Sequence, residues 1–157
     1  MIITIRNLGF KYSENTTFTY PDISLEKKES LLILGKSGSG KTTLLHLLAG
    51  FLKPLSGEIT LCENPFSGLT EREKDKLRGK NVGIVFQQPH FMKSLTALEN
   101  VKLACTAAKQ KIDTSYLVSL FKNLSVSGKE NTPVAELSVG ELQRVNIIRA
   151  LANKPAL

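Results

Sequence analysis

The chain has little that would mark it for a membrane, for secretion or for an oxidising compartment. Only two of its 157 residues are cysteines. Cys62 and Cys105 stand alone, without CxxC spacing, and read as buried or free thiols of a reducing cytosol. No window holds about 18 consecutive apolar residues, which excludes a membrane-spanning helix. The first residues, MIITIRNLGFKY, lack the charged, apolar and small-residue order of a signal peptide. Internal repeats and low-complexity tracts are also missing. What remains is 41% hydrophobic, enough for one globular domain with a real core.

Acidic residues are few as well: 14 against 21 Lys and Arg, for a net charge of +7. A basic balance can point to nucleic acid or to an anionic membrane surface. Here the cations are dispersed, and the densest stretch, EREKDKLRGK, alternates in sign. It reads as a solvated helix face.

Hydrophobic patterning supplies the elements. MIITIRNLGFKY has β-branched residues in partial alternation and predicts a strand. FTYPDISLEKKES predicts a strand pair turning at Pro21–Asp22. LLILG and NVGIVF are short continuous apolar runs, expected of strands buried on both faces, and GEITLC is a further strand. KTTLLHLLAGF predicts a buried helix through Leu44, Leu45, Leu47, Leu48 and Phe51, stopped by Gly50 and Pro54. On it His46 reads as a core residue and not a ligand. Three capping boxes open later helices: Thr70 with Glu73, Thr96 with Glu99, and Ser138 with Glu141. Leu117, Leu120, Phe121 and Leu124 fall on one face of another helix. Strands alternating with helices around a Gly-rich turn argue for an α/β fold. The expected organisation is a single domain: a β-rich core over 1–92, an inserted helical subdomain over 93–136, and a last helix over 137–157.

The sharpest motif is GKSGSGKT, which fits G-x-x-x-x-G-K-[ST] at every fixed position. An apolar run precedes it and a helix follows, as a phosphate-binding loop requires. Glycines let the backbone turn successive N–H groups toward phosphate oxygens, and the helix start adds its positive dipole end. The candidate nucleotide-binding residues are Gly35, Lys36, Ser37, Gly38, Ser39, Gly40, Lys41, Thr42 and Thr43. Lys41 should reach the β- and γ-phosphates. The Thr42 hydroxyl should ligate Mg²⁺, a cation that keeps most of its waters and takes few protein ligands.

Three more stretches resemble one family in its own order. LSVGELQRVNIIRAL resembles the signature of ATP-binding cassette (ABC) ATPases, VFQQPHF with LTALENV resembles their Q-loop region, and FKY resembles the site of their adenine-stacking aromatic. The Q-loop region looks most like the lipoprotein-release and macrolide-export branch. The resemblance implies a P-loop NTPase core with an N-terminal antiparallel β subdomain and an inserted helical subdomain. It implies ATP and Mg²⁺ as cofactors, Tyr12 as the adenine stack and Gln87 as a further Mg²⁺ ligand. Ser138, Val139, Gly140 and Glu141 would face ATP held by a second ATPase subunit in a head-to-tail dimer. Val139 and Glu141 depart from the usual glycine and glutamine. KKES, Lys27 to Ser30, replaces the glycine turn common before the phosphate loop.

The same resemblance implies machinery that these residues do not contain. The family places a metal-binding Asp and a general-base Glu at the end of an apolar strand after the signature helix, and a switch histidine beyond it. No apolar run here ends in an acidic pair, and His90 lies beside the Q-loop. The sequence therefore reads as C-terminally truncated, missing its last strands, with no catalytic residue present and little stability or turnover expected alone. The implied whole protein is peripheral on the inner face of the cell membrane. It would couple ATP to transport through permease subunits that contact the Q-loop and helical subdomain. The alternatives are a soluble cassette protein acting on nucleic acid or the ribosome, or a nucleotide-binding fragment without turnover. Only 50 positions separate Gln87 from Leu137, too few for a long coiled coil, so no nucleic-acid partner is expected.

Overall fold

Ile3 and Ile5 are buried, and so are Leu8 and Phe10. The first pair has odd numbers and the second even, so the strand changes phase between them. In the computed structural model, which describes residues 1–13 and 16–157, Asn7 lies at the change with φ 50°. Strand β1 (Ile3–Ser13) pairs antiparallel with β4 (Ser56–Leu61), Ile3 opposite Leu61 and Ile5 opposite Ile59. Past Arg6 that register slips by one residue. An extra residue moves every later side chain to the other face, which is why the sequence shows only partial alternation.

On its other edge β1 pairs antiparallel with β2 (Thr16–Thr19) and β3 (Ile23–Leu25). The expected hairpin at Pro21–Asp22 is not formed. Gly9 opposes Thr19 and Ile5 opposes Ile23 in one unbroken register, so β2 and β3 are two pieces of one strand. Pro21 has no N–H to give the ladder. Around it, Tyr20 N–H donates to the Leu8 carbonyl at 2.9 Å, and the Asp22 carboxylate accepts from Asn7 N–H at 2.7 Å. A short β5 (Asn64–Pro65) completes the sheet beside β4.

Helix α1 (Lys41–Leu48) lies against β4 and buries Leu44, Leu47 and Leu48. Leu45 and Phe51 are exposed, so the helix is buried on one side only. His46 is part-buried, with the Phe51 ring edge-on at 5.9 Å. Gly50, at φ 70°, ends the helix. The Arg78 guanidinium donates to the Ala49 and Gly50 carbonyls at 3.0 Å each, a positive charge at the dipole's negative end.

Helix α2 (Glu71–Asn81) opens on the Thr70–Glu73 box and buries no residue, as its alternating charges require. Helices α3 (Ala97–Ala107), α4 (Thr114–Asn123) and α5 (Val139–Leu151) share one apolar core. Ala97, Val101, Leu117, Phe121, Val145 and Ile148 are its fully enclosed members. Each large one contributes roughly 1.5–3 kcal/mol by leaving water. Packing divides the described residues into 1–78 with 156, and 79–155 with 157. The sequence reading set its boundaries at 92/93 and 136/137; here α5 belongs to the same packed unit as α3 and α4.

The two apolar runs expected to be buried strands are not strands. Leu32 and Leu34 are 77% and 80% exposed, and Val85 is half exposed. A strand exists only where another strand takes its hydrogen bonds, and among the described residues none pairs with LLILG. NVGIVF begins as the last turn of α2 and continues without a ladder. At one point it does gain a partner: Gly83 N–H donates to the Leu157 carbonyl at 2.8 Å, and Leu157 N–H to the Asn81 carbonyl at 2.9 Å. Two bonds from one residue to both neighbours of Val82 are the pattern of a parallel ladder. No helix among the described residues is long and apolar enough to cross a membrane.

Candidate functional site

The phosphate-loop motif forms a turn that ends in α1. Gly38 and Gly40 have φ 77° and 86°, a left-handed region where side chains are strained. At Gly40 a β-carbon would also lie 2.7 Å from the Phe18 ring and 2.9 Å from the Tyr20 hydroxyl. Gly40 is the N-cap of α1, and among the described residues no side chain accepts from the helix's first N–H groups. The Lys41 ammonium donates back to the Gly35 and Lys36 carbonyls at 2.9 and 2.8 Å. Lys36, Ser37, Ser39 and Thr42 are exposed, and Thr43 is buried.

This geometry fits a polyphosphate. Donors without intrahelical partners, a dipole end and a lysine already folded over the loop converge on one turn. Among the described residues a β-carbon at Gly38 would meet nothing within 4 Å, which leaves room for a ligand at the turn. The donor set also fits Mg²⁺ arriving with a nucleotide. Thr42 offers one exposed hydroxyl, and no group of three or more His, Cys, Asp or Glu among the described residues could hold a metal by itself.

Tyr12 shares this unit. Its hydroxyl accepts from the Thr43 hydroxyl at 3.4 Å, and its ring meets Phe10 and Phe18 edge-on at 4.6 and 6.3 Å. More than half of Tyr12 is exposed, so one apolar surface stays open beside α1. The sequence reading missed Phe18 and Tyr20. The Tyr20 hydroxyl donates to the Gly40 carbonyl at 3.1 Å, and burial raises its pKa above the usual tyrosine value. Only the pairing of β1 with β2 brings these rings to the loop, and no local motif announces it.

Gln87 and the signature lie in the other unit. The Gln87 carbonyl accepts from Gln143 Nε2 at 3.4 Å, and its side-chain amide has no partner among the described residues. Ser138 caps α5: Glu141 N–H donates to the Ser138 hydroxyl at 3.3 Å. In return the Glu141 carboxylate accepts from Ser138 N–H and from its hydroxyl, each at 2.8 Å. Val139 and Gly140 are exposed. Lys129, also unforeseen, stands 3.1 Å from Glu141 and offsets the charge that replaces the usual glutamine.

These contacts hold the Glu141 pKa down to about 2, the Ser138 N–H first among them, then the Ser138 hydroxyl and Lys129. A carboxylate depressed on folding adds stability that is complete above its ordinary value of 4.5 and is lost as pH falls through about 2. Melting temperature is therefore expected to fall through that window. Glu141→Gln should flatten this part of the acid slope, and an unchanged slope would remove the carboxylate from the account.

Comparison with known proteins places this arrangement. A lipoprotein-releasing system ATP-binding protein LolD of Xanthomonas campestris is 36% identical over 160 residues, covering 98% of this chain and 67% of its own length. The LolD of Saccharophagus degradans is 39% identical over 142 residues, covering 86% of this chain and 60% of its own. Among solved structures, the dimeric ABC transporter cassette MJ0796 superposes with a TM-score of 0.86 at 30% identity, over 98% of this chain and 71% of that one. CbiO1 of Clostridium perfringens, part of the CbiONQ transporter complex, gives 0.81 at 27%, over 98% and 62%. The fold is thus the α/β cassette, with its antiparallel β part and its helices. A family model described as ABC transporter matches residues 19–157, most of the chain, and with these relatives it shows that the protein belongs to the ABC transporter ATPase family.

Proposed function

We propose that this chain is the nucleotide-gripping part of an ABC transporter ATPase that drives separate membrane-spanning partners. The observation that carries the reading is the start of α1, where a left-handed glycine replaces any side-chain cap and Lys41 covers the loop. Such an end holds the β- and γ-phosphates of ATP, and Thr42 and Gln87 would complete the shell of a bound Mg²⁺. The ion would neutralise phosphate charge. Tyr12 supplies the stacking face for adenine. Ser138, Val139, Gly140 and Glu141 form an exposed helix start suited to the ATP of a second subunit, in a head-to-tail dimer.

The chain spans about two thirds of the length of the Xanthomonas relative, and cleavage and transport are proposals for the whole protein. Within these residues no apolar run ends in an acidic pair, so the proposal assigns them binding and not turnover. The relatives named for lipoprotein release favour the export branch, and neither nucleic acid nor the ribosome is favoured as partner. Residues 90–103 are the proposed contact with a permease, at the inner face of the membrane. Substitutions there should abolish co-purification with the permease and leave ATP binding intact.

Binding of a fluorescent ATP analogue tests the reading directly. The chain is expected to bind it with competition by ATP and without steady phosphate release. Tyr12→Ala should weaken binding about tenfold, since an aromatic contact is worth about 0.5–1.5 kcal/mol. Absence of competable binding by a folded chain would refute the proposal.

A further inference from the structure

A fully buried polar side chain in an apolar helix face needs partners, or it destabilises the fold. Asn146 is 0% exposed, between Val145 and Ile148 in the core of α5. Both ends of its amide are satisfied. Nδ2 donates to the Phe86 carbonyl at 2.9 Å, and Oδ1 accepts from Arg149 Nη2 at 3.0 Å. The other arm of Arg149 donates to the His90 carbonyl, and its guanidinium lies 4.5 Å from the centre of the Phe91 ring. Gln143 Nε2 reaches the Gln87 carbonyl. Residues 143, 146 and 149 recur every three positions and so follow one side of the helix.

The segment they hold is neither helix nor strand over 82–91. Side chains of α5 thus bind the carbonyls of residues 86, 87 and 90, where a sheet ladder would otherwise do so. The Gln87 backbone is fixed while its side chain stays unpartnered among the described residues. The helix that does this begins at Ser138, about 12 Å from Asn146 at 1.5 Å per residue.

We propose that Gln143, Asn146 and Arg149 are positioning residues. They tie the Gln87 loop to the signature helix, so that Gln87 and Ser138 respond to nucleotide as one body. The proposal rests on reading Gln87 as a ligand of Mg²⁺-bound ATP. Its physical content is pre-organisation. A loop already fixed by its backbone loses less freedom when its side chain meets the ion. A shift at either end of a rigid helix is carried to the other.

The test uses the whole 157-residue chain, with a fluorescent ATP analogue titrated with and without Mg²⁺, and limited proteolysis of the loop. Asn146→Leu removes both amide bonds and keeps the branched side-chain shape. Cleavage within residues 86–91 by a non-specific protease should speed up at least tenfold while α5 stays intact. The gain in affinity from Mg²⁺ should drop about tenfold, to the level of Gln87→Ala, with less than a twofold change when Mg²⁺ is absent. The double variant should bind no more weakly than Gln87→Ala alone, because both act through one contact. Arg149→Lys, which lacks the planar fork that serves Asn146 and the His90 carbonyl from two nitrogens, should show the same pattern at smaller size. It also keeps the test alive if Asn146→Leu does not fold. Unchanged cleavage within 86–91, or equal weakening with and without Mg²⁺, overturns the proposal. If Gln87→Ala alone leaves the Mg²⁺ gain intact, the ligand reading of Gln87 fails. The coupling falls with it, and faster cleavage in Asn146→Leu would then support only the pinning of the loop.

Discussion

Lys41→Ala is expected to weaken ATP binding about 100-fold while leaving the fold intact. The ammonium is folded back over the turn, and its bonds run to the carbonyls of Gly35 and Lys36. A bound triphosphate would exchange those neutral acceptors for charged oxygens. A hydrogen bond to a charged group is worth about 1.5–3 kcal/mol, and about 1.4 kcal/mol is tenfold in affinity. Losing two such contacts accounts for the expected factor. Stability should change little, since Lys41 is a loop clasp at the surface and not a core residue. The measurement is a titration of a fluorescent ATP analogue beside a thermal melt. A melt that collapses together with binding would mean that the lysine holds the turn itself, and binding that survives would remove the phosphate role.

The largest effect on stability is expected at Gly57. This residue lies in β4 with φ 79°. A β-carbon there would sit 2.3 Å from the Arg6 carbonyl oxygen and 2.3 Å from that of Asn7. Both neighbours are backbone, so neither can rotate away. The left-handed conformation alone costs an alanine about 1–2 kcal/mol, and overpacking adds about 1–3. Gly57→Ala should therefore destabilise by about 3 kcal/mol in a urea titration. Gly128→Ala is the control. Its φ is 82°, but a β-carbon there meets nothing within 4 Å, so only the strain of about 1 kcal/mol should appear. Equal losses in the two variants would show that the close approach of β4 to the Asn7 bulge carries no cost.

Those two sites also separate what could be read in advance from what could not. Lys41 is legible because its chemistry is local: the glycines, the lysine and the threonine lie within eight residues. The capping boxes at Thr96 and Ser138 formed as the spacing required, for the same reason. Gly57 gave no signal, because its need for a bare α-carbon comes from Asn7, fifty positions earlier. The bulge at Asn7 likewise blurred the alternation of the first strand. Gln143, Asn146 and Arg149 were spaced to share a helix face, yet nothing in the sequence named the carbonyls they hold.

By itself, then, the sequence determined the phosphate turn, the three capped helix starts and the apolar face of α4. Hydrogen bonds and contacts spanning a few residues decide all of these. Tertiary structure decided the rest. LLILG is apolar enough for a buried strand, yet Leu32 and Leu34 lie at the surface, because burial of a strand depends on what pairs with it. Pro21 made one interrupted strand out of an expected hairpin, because β1 offered a continuous register on either side of it. The polar face of α5 gained a purpose only when residues 86–90 were laid against it. In each case the deciding hydrogen-bond partner lies outside the stretch that carries the pattern.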